Sequence, residues 1–181
     1  MTLTAPQPIN EQHEIGAFDS GVPLLDDWLK RRARANQASG ASRTYVVCEE
    51  QRVVAYYALA SGAVDIENAS GRVRRNMPDP VPVAVLGRLA IAQSFQKHGL
   101  GRALIRDAAT RVLQAAEVIG IRGIVVHAIS KEAKAFYLAV GFEVSPLEPL
   151  TLMATLADIQ AATKGTVDAE KPLPADADRG E

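Results

Sequence analysis

Thiol chemistry is nearly absent from this chain. Cys48 is its only cysteine, so no internal disulfide can form and no zinc site with thiolate ligands can be assembled. Histidine is almost as scarce: His13, His98 and His127 share no ligand spacing, and no metal is expected. No run approaches the roughly 18 apolar residues of a membrane span. The opening segment MTLTAPQPINEQHEIG has neither the basic nor the apolar region of a secretory signal, so the expectation is a soluble, cytoplasmic protein with no membrane partner. No internal repeat and no second hydrophobic core can be traced. What remains, 181 residues at 48% hydrophobic and 23% charged, suits one globular domain.

One sign of charge is also missing locally. Residues 1–27 hold five acids and no lysine or arginine, whereas the stretch from Lys30 to Arg75 holds nine bases against four acids. Lys30, Arg31, Arg32, Arg34, Arg72, Arg74 and Arg75 make up most of that excess. Inside a chain of net charge −1, such a segment is either a solvated helix face or an electrostatic footprint for a polyanion.

The apolar pattern divides the chain into elements. Ser20 followed by Pro23, Leu24, Leu25, Trp28 and Leu29 predicts an N-capped amphipathic helix to about Gln37, with KRRAR on its polar face. TYVVCEE and VVAYYALASGAV predict a β-hairpin, and GRVRRNMPDP reads as a loop. A buried strand is expected over 82–92, a helix over 102–119 and another strand over 121–128. SKEAKAFYLAV reads as a short helix stopped by Gly141, and PLTLMATL as a last strand. From Gly165 the chain turns polar, so a folded domain over 1–164 and a disordered tail over 165–181 are expected.

Between the strand at 82–92 and the helix at 102–119 lies SFQKHGLG. Amides at a helix start lack partners within the helix, and the dipole's positive end points outward there, so a phosphate is the natural occupant. Gly99 and Gly101 allow close backbone approach. A Walker A loop would need a Gly-Lys-Ser/Thr ending, and a dinucleotide fingerprint a third glycine and a later acid; both fit poorly.

The segment Gln96-Lys97-His98-Gly99-Leu100-Gly101 resembles the pyrophosphate loop of the GNAT superfamily, the acetyl-coenzyme A-dependent N-acetyltransferases, and follows what would be their fourth strand. The run from Ser130 to Phe142 resembles their second motif, Asn-x-x-Ala-x-x-x-Tyr-x-x-x-Gly-Phe, with Ser130 in place of the asparagine. A narrower resemblance, carried by FDSG, NQASGASRT and RRNMPDP among other stretches, is to the GNAT toxins of bacterial toxin–antitoxin modules, which acetylate the free amine of aminoacyl-tRNA. The resemblance implies an α/β fold with a mixed, mostly antiparallel sheet flanked by helices and splayed between its fourth and fifth strands. It also implies acetyl-coenzyme A as co-substrate, aminoacyl-tRNA as acceptor, a homodimer and a ribbon-helix-helix antitoxin as partner.

Residue by residue, the resemblance implies that Leu89, Ala90 and Ile91 pair with the pantetheine arm. Gln96, Lys97, His98, Gly99, Leu100, Gly101 and Arg102 would hold the pyrophosphate, and Ser130, Ala133 and Phe136 would complete the cofactor site. Tyr137 is the expected acid: a phenol with an ordinary pKa near 10 is protonated at neutral pH and can hand its proton to a departing thiolate. Without the family pattern Tyr137 would read as a core aromatic. Cys48 reads as an inert thiol in an apolar strand, and His127 as a packed imidazole. The basic cluster, Lys30, Arg31, Arg32, Arg34, Arg72, Arg74 and Arg75, becomes the expected tRNA dock. An acetyltransferase for protein N-termini or small amines, and a coenzyme A-binding module without turnover, are the alternatives.

Overall fold

The computed structural model describes residues 2–169 and contains one seven-stranded sheet, ordered β1-β2-β3-β4-β5-β7-β6. Strands β1 (Gln7–Pro8), β2 (Arg43–Glu49), β3 (Arg52–Val64) and β4 (Val81–Ile91) are successively antiparallel. The β2–β3 hairpin closes through Glu50 and Gln51, with Glu50 in the left-handed conformation at φ 56 that a tight two-residue turn demands. Strand β5 (Gly123–His127) runs parallel to β4, and β7 (Thr151–Thr155) antiparallel to β5, with β6 (Glu143–Val144) on its far edge. This is the mixed, mostly antiparallel sheet that the resemblance implies.

The parallel contact is short. Only Ala84, Val85 and Leu86 of β4 pair with β5, opposite Ile124, Val125 and Val126. Against β3 the register slips at the same level: Leu59 faces Leu86 while Ala58 faces Arg88, so Gly87 is an extra residue in β4. A bulge of this kind bends its strand and increases the local twist. Beyond it, β4 continues along β3 to Ile91 but leaves β5, and the sheet splays between its fourth and fifth strands.

Helices cover both faces. Leu104, Ala108, Ala109 and Val112 of α4 (Leu100–Ala116), Tyr137 of α5 (Lys131–Ala139) and Ile159 of α6 (Leu156–Ala169) pack with Tyr57, Leu86, Ile124, Val126 and Leu152. On the opposite face α1 (Pro23–Arg31) and α2 (Ala33–Ser39) set Leu25, Leu29 and Ala33 against Phe18, Val46, Tyr56 and Ala90. Farther along that face the single turn α3 (Gly71–Arg74) puts Val73 over Val81, Val83, Val125 and Met153. Burying a side chain such as Leu104 contributes about 1.5–3 kcal/mol. Packing, rather than a capping side chain, therefore fixes α4: its N-cap is Gly99, which has none to offer.

Four local features differ from the sequence expectation. The predicted first helix is two, broken at Arg32, whose φ of −120 falls outside the helical range. Its N-cap is Val22 rather than Ser20; the Ser20 hydroxyl and amide are held instead by the buried carboxylate of Asp26 at 2.6 and 3.0 Å. The expected loop GRVRRNMPDP begins with α3. Helix α6 carries regular structure to Ala169, past the expected start of the tail at Gly165; residues 170–181 of that tail lie outside the described residues. No described helix is long and apolar enough to cross a membrane.

Candidate active site

The splay opens a cleft of about 510 Å³. One wall is β4 from Leu86 to Ile91, whose edge toward β5 has no strand partner beyond Leu86. The floor is made by Gln96, Lys97 and Gly101, and the opposite wall by His127, Ile129 and the first two turns of α5: Ser130, Glu132, Ala133, Phe136 and Tyr137. Ser20, Val22 and Leu25 close it from the α1 side.

The loop that forms the floor is wound tightly. Lys97 at φ 64 and Gly99 at φ 82 both adopt left-handed conformations, and α4 starts at Leu100 with no side-chain cap. The first amides of α4 are therefore left to an external acceptor, and the helix dipole adds about half a positive charge at that end. A Cβ on Gly101 would stand 3.2 Å from the Phe136 ring and 3.5 Å from Ile91, so a bare backbone is what lets the helix start sit against α5 and β4. Gln96 anchors the loop: its side-chain amide donates to the carbonyls of Ile91 and Ser20, each at 2.8 Å. An uncapped helix start, a permissive loop and an open strand edge are the donor set that a pyrophosphate and an amide-bearing arm require.

Tyr137 sits where α5 turns its inner face to the cleft. The residue is 7% exposed, with its ring edge-on to Phe136 at 5.3 Å and to Phe142 at 5.7 Å. Burial pushes its phenol up to about 12, so the hydroxyl stays protonated far above neutral pH. Ser130 caps α5, its hydroxyl accepting from the Ala133 amide at 3.1 Å. Because that bond uses only an acceptor site, the Ser130 proton remains available to the cleft.

Ten sequence-selected residues line this one space: Leu89, Ala90, Ile91, Gln96, Lys97, Gly101, Ser130, Ala133, Phe136 and Tyr137. His98, Gly99, Leu100 and Arg102 belong to the loop and first helical turn but not to the cleft wall, and Arg102 borders a second cavity of about 250 Å³ beside α6. Cys48 is fully buried, and burial raises its thiol pKa, as expected of an inert residue. His127, expected to be packed, is exposed at the cleft, with Nδ1 3.0 Å from the Thr151 hydroxyl.

The basic residues divide. Lys30, Arg31 and Arg32 are exposed on the α1–α2 segment, and Arg74 and Arg75 at the end of α3. Those two groups share a sheet face but sit over opposite ends of β3 and β4. Arg34 is taken up by the N-terminal segment, donating to the carbonyls of Asn10 and His13. Arg72 pairs with Asp158 at 2.5 Å. None of the seven lines the cleft. Among the described residues its one arginine is Arg88, which sequence reasoning overlooked although a lone charge inside the apolar run VPVAVLGRLAIA is a visible signal.

Over residues 40–144 the sequence matches the acetyltransferase (GNAT) domain. It is 52% identical over 158 residues to the tRNA-acetylating toxin of Mycobacterium tuberculosis, covering 87% of this chain and 95% of that protein. Among solved structures, AtaT complexed with acetyl-methionyl-tRNAfMet gives a TM-score of 0.81 at 26% identity, covering 88% of this chain and 98% of that one. AtaTR bound with AcCoA gives 0.73 at 27% identity, covering 88% and 96%. A mutant AtaT toxin bound to the C-terminus of the antitoxin AtaR gives 0.76 at 25% identity, covering 88% and 96%.

Proposed function

The chain belongs to the acetyltransferase (GNAT) family, and from that premise we propose that it moves an acetyl group from acetyl-coenzyme A to the free amine of aminoacyl-tRNA, as the toxin of a toxin–antitoxin module. The observation that carries this reading is that Tyr137, whose buried phenol favours the protonated form, lines one cleft with the unpaired edge of β4 and the uncapped start of α4. The identity to a tRNA-acetylating toxin along nearly the full length of both chains supports the choice of acceptor.

Acetyl-coenzyme A, when bound, supplies an activated acyl carbon and a thiolate leaving group. Backbone groups of Leu89, Ala90 and Ile91 hold the pantetheine arm, and an N–H of this edge polarises the thioester carbonyl. The loop from Gln96 to Arg102 takes the pyrophosphate, and Ser130, Ala133 and Phe136 complete the cofactor site. Nothing in the cleft is needed as a dedicated base, because an α-amine titrates near 7.7–8.0 and is partly neutral already. The nitrogen lone pair bonds to the acyl carbon and the C–S bond breaks. Tyr137 gives its proton to the sulfur, and the new amide loses its extra proton to water.

The acceptor approaches from the α1 side, with Lys30, Arg31, Arg32, Arg74 and Arg75 contributing phosphate contacts. The protein works in the cytoplasm as a homodimer and is neutralised by a ribbon-helix-helix antitoxin. The experiment is direct. The purified protein with acetyl-coenzyme A and charged tRNA should yield N-acetyl-aminoacyl-tRNA, detected by mass spectrometry after nuclease digestion, and should halt cell-free translation. Acetylation of protein N-termini or small amines with charged tRNA left untouched would replace this acceptor by the other.

A further inference from the structure

Among the described residues Arg88 is the one arginine that lines the cleft. It follows the Gly87 bulge on β4 and its guanidinium lies 5.4 Å from the centre of the Trp28 ring. Trp28 in turn stacks on Tyr56 at 5.9 Å and 8°, and the Tyr56 hydroxyl donates to the Leu25 carbonyl at 2.7 Å. Tyr56 is fully buried, so this column is a rigid pedestal built from α1 and β3. Only one further bond restrains the guanidinium, Nη1 to the Gly87 carbonyl at 2.8 Å. Among the described residues no carboxylate forms an ion pair with Arg88.

A planar cation held by one face, with most of its N–H fork unused, is matched to a phosphate or carboxylate arriving edge-on. The side on which it stands narrows the choice. Leu104 of α4 and Tyr137 of α5 pack on one face of the sheet, whereas Trp28 packs with α1 on the other, away from the uncapped helix start. Within the one cleft the helix start and Arg88 thus lie toward opposite faces of β4, and the anion for Arg88 belongs to the acceptor. In an amine ester-linked to a terminal ribose, the nearest anion is the phosphate of that same nucleotide.

Resting on the acceptor proposed above, we infer that Arg88 binds the terminal-nucleotide phosphate of the aminoacylated acceptor and so sets the preference for nucleic-acid-borne amines over free ones. The test compares charged tRNA with puromycin, a 3′-aminoacylated nucleoside that has a free α-amine and no phosphate. In Arg88→Gln the ratio of kcat/KM for charged tRNA to that for puromycin should fall about 10-fold to 100-fold, the scale of one lost charged hydrogen bond. Arg88→Lys, which keeps the charge without the planar fork, should fall between it and the parent. An equal loss on both acceptors, in protein of unchanged melting temperature, would reduce Arg88 to a support for Trp28 and overturn the inference. A rise in the acetyl-coenzyme A Kd matching the loss of activity would also overturn it, by assigning the arginine to the cofactor. Parent enzyme that acetylates puromycin but not charged tRNA would sink the acceptor reading itself, a result separate from either of these.

Discussion

Gln96 donates its side-chain amide to the carbonyl of Ser20 at 2.8 Å, joining two segments 76 residues apart. One belongs to the loop before α4 and the other to the turn before α1, so this bond ties the two sides of the cleft together. Gln96→Glu would set a carboxylate against the carbonyls of Ser20 and Ile91 and leave both without a donor. Neither bond is buried, so each contributes about 0.5–1.5 kcal/mol. The variant should melt several degrees lower and show a weakened acetyl-coenzyme A thermal shift; an unchanged shift would mean that the loop keeps its shape unaided.

Gly99→Val separates backbone conformation from packing. A Cβ at this position meets nothing within 4 Å, so no clash arises, but its φ of 82 would cost a non-glycine residue about 1–2 kcal/mol. Folding should survive while the rise in melting temperature caused by acetyl-coenzyme A disappears. A full ligand-induced rise in the folded variant would take the loop out of the cofactor site.

Tyr137→Phe removes one oxygen and preserves the ring contacts with Phe136 and Phe142. General acids typically contribute about 10²–10⁴-fold in rate, so the acetylation rate should fall by that factor while the Kd for acetyl-coenzyme A stays near the parent's. Expression without an antitoxin should then be tolerated. Toxicity equal to the parent's would make Tyr137 a packing residue.

The raised phenol of Tyr137 also predicts a pH profile. Activity should climb as the acceptor amine loses its proton, near 7.7–8.0, and show no alkaline loss before about pH 10. For stability the sign is fixed by burial. The folded pKa, about 12, lies above the ordinary value of 10, so the contribution of Tyr137 is complete below pH 10 and is lost as the pH rises toward 12. An alkaline fall in kcat near pH 9, absent in Tyr137→Phe, would contradict the assigned environment.

Two kinds of arginine should behave differently. Neutralising Arg31, Arg32, Arg74 and Arg75 together should raise the KM for charged tRNA and flatten its salt dependence, by about 0.7–0.9 in the log–log slope for each phosphate no longer neutralised. Arg34→Ala should instead lower the melting temperature, since its guanidinium bonds to the carbonyls of Asn10 and His13 are lost. An unaltered salt slope in the quadruple variant would move the dock elsewhere.

The unit from β4 through α4 was readable because two independent periodicities meet there with glycines between them: a continuous apolar run, then apolar positions at helical spacing. Tyr137 came only through the resemblance of the run Ser130–Phe142 to the family's second motif; by its apolar neighbours alone it reads as a core aromatic. The break between α1 and α2 left no such mark, since Arg32 is neither glycine nor proline and the apolar pattern continues across it to Ala33. Charge was legible in amount but not in employment. Nothing local to KRRAR distinguishes the exposed Arg31 from Arg34, whose partners come from residues more than twenty positions earlier. The Ser20–Leu25 wall was hidden for the same reason, being brought to the cleft only by tertiary packing.

The single inserted residue Gly87 makes β4 a strand with two phases. Side chains alternate along a strand, so Leu86, Arg88 and Ala90 would ordinarily share a face. Here Leu86 packs with α4, whereas Ala90 and Arg88 belong with α1, and Leu89 and Ile91 have crossed to the α4 side in their place. Before the insertion β4 is an interior strand of the sheet; after it, the same strand offers one face to each half of the cleft. Deleting Gly87 would leave those faces as they are, since Arg88 would then follow Leu86 in ordinary alternation, but it would remove the bend that turns β4 away from β5.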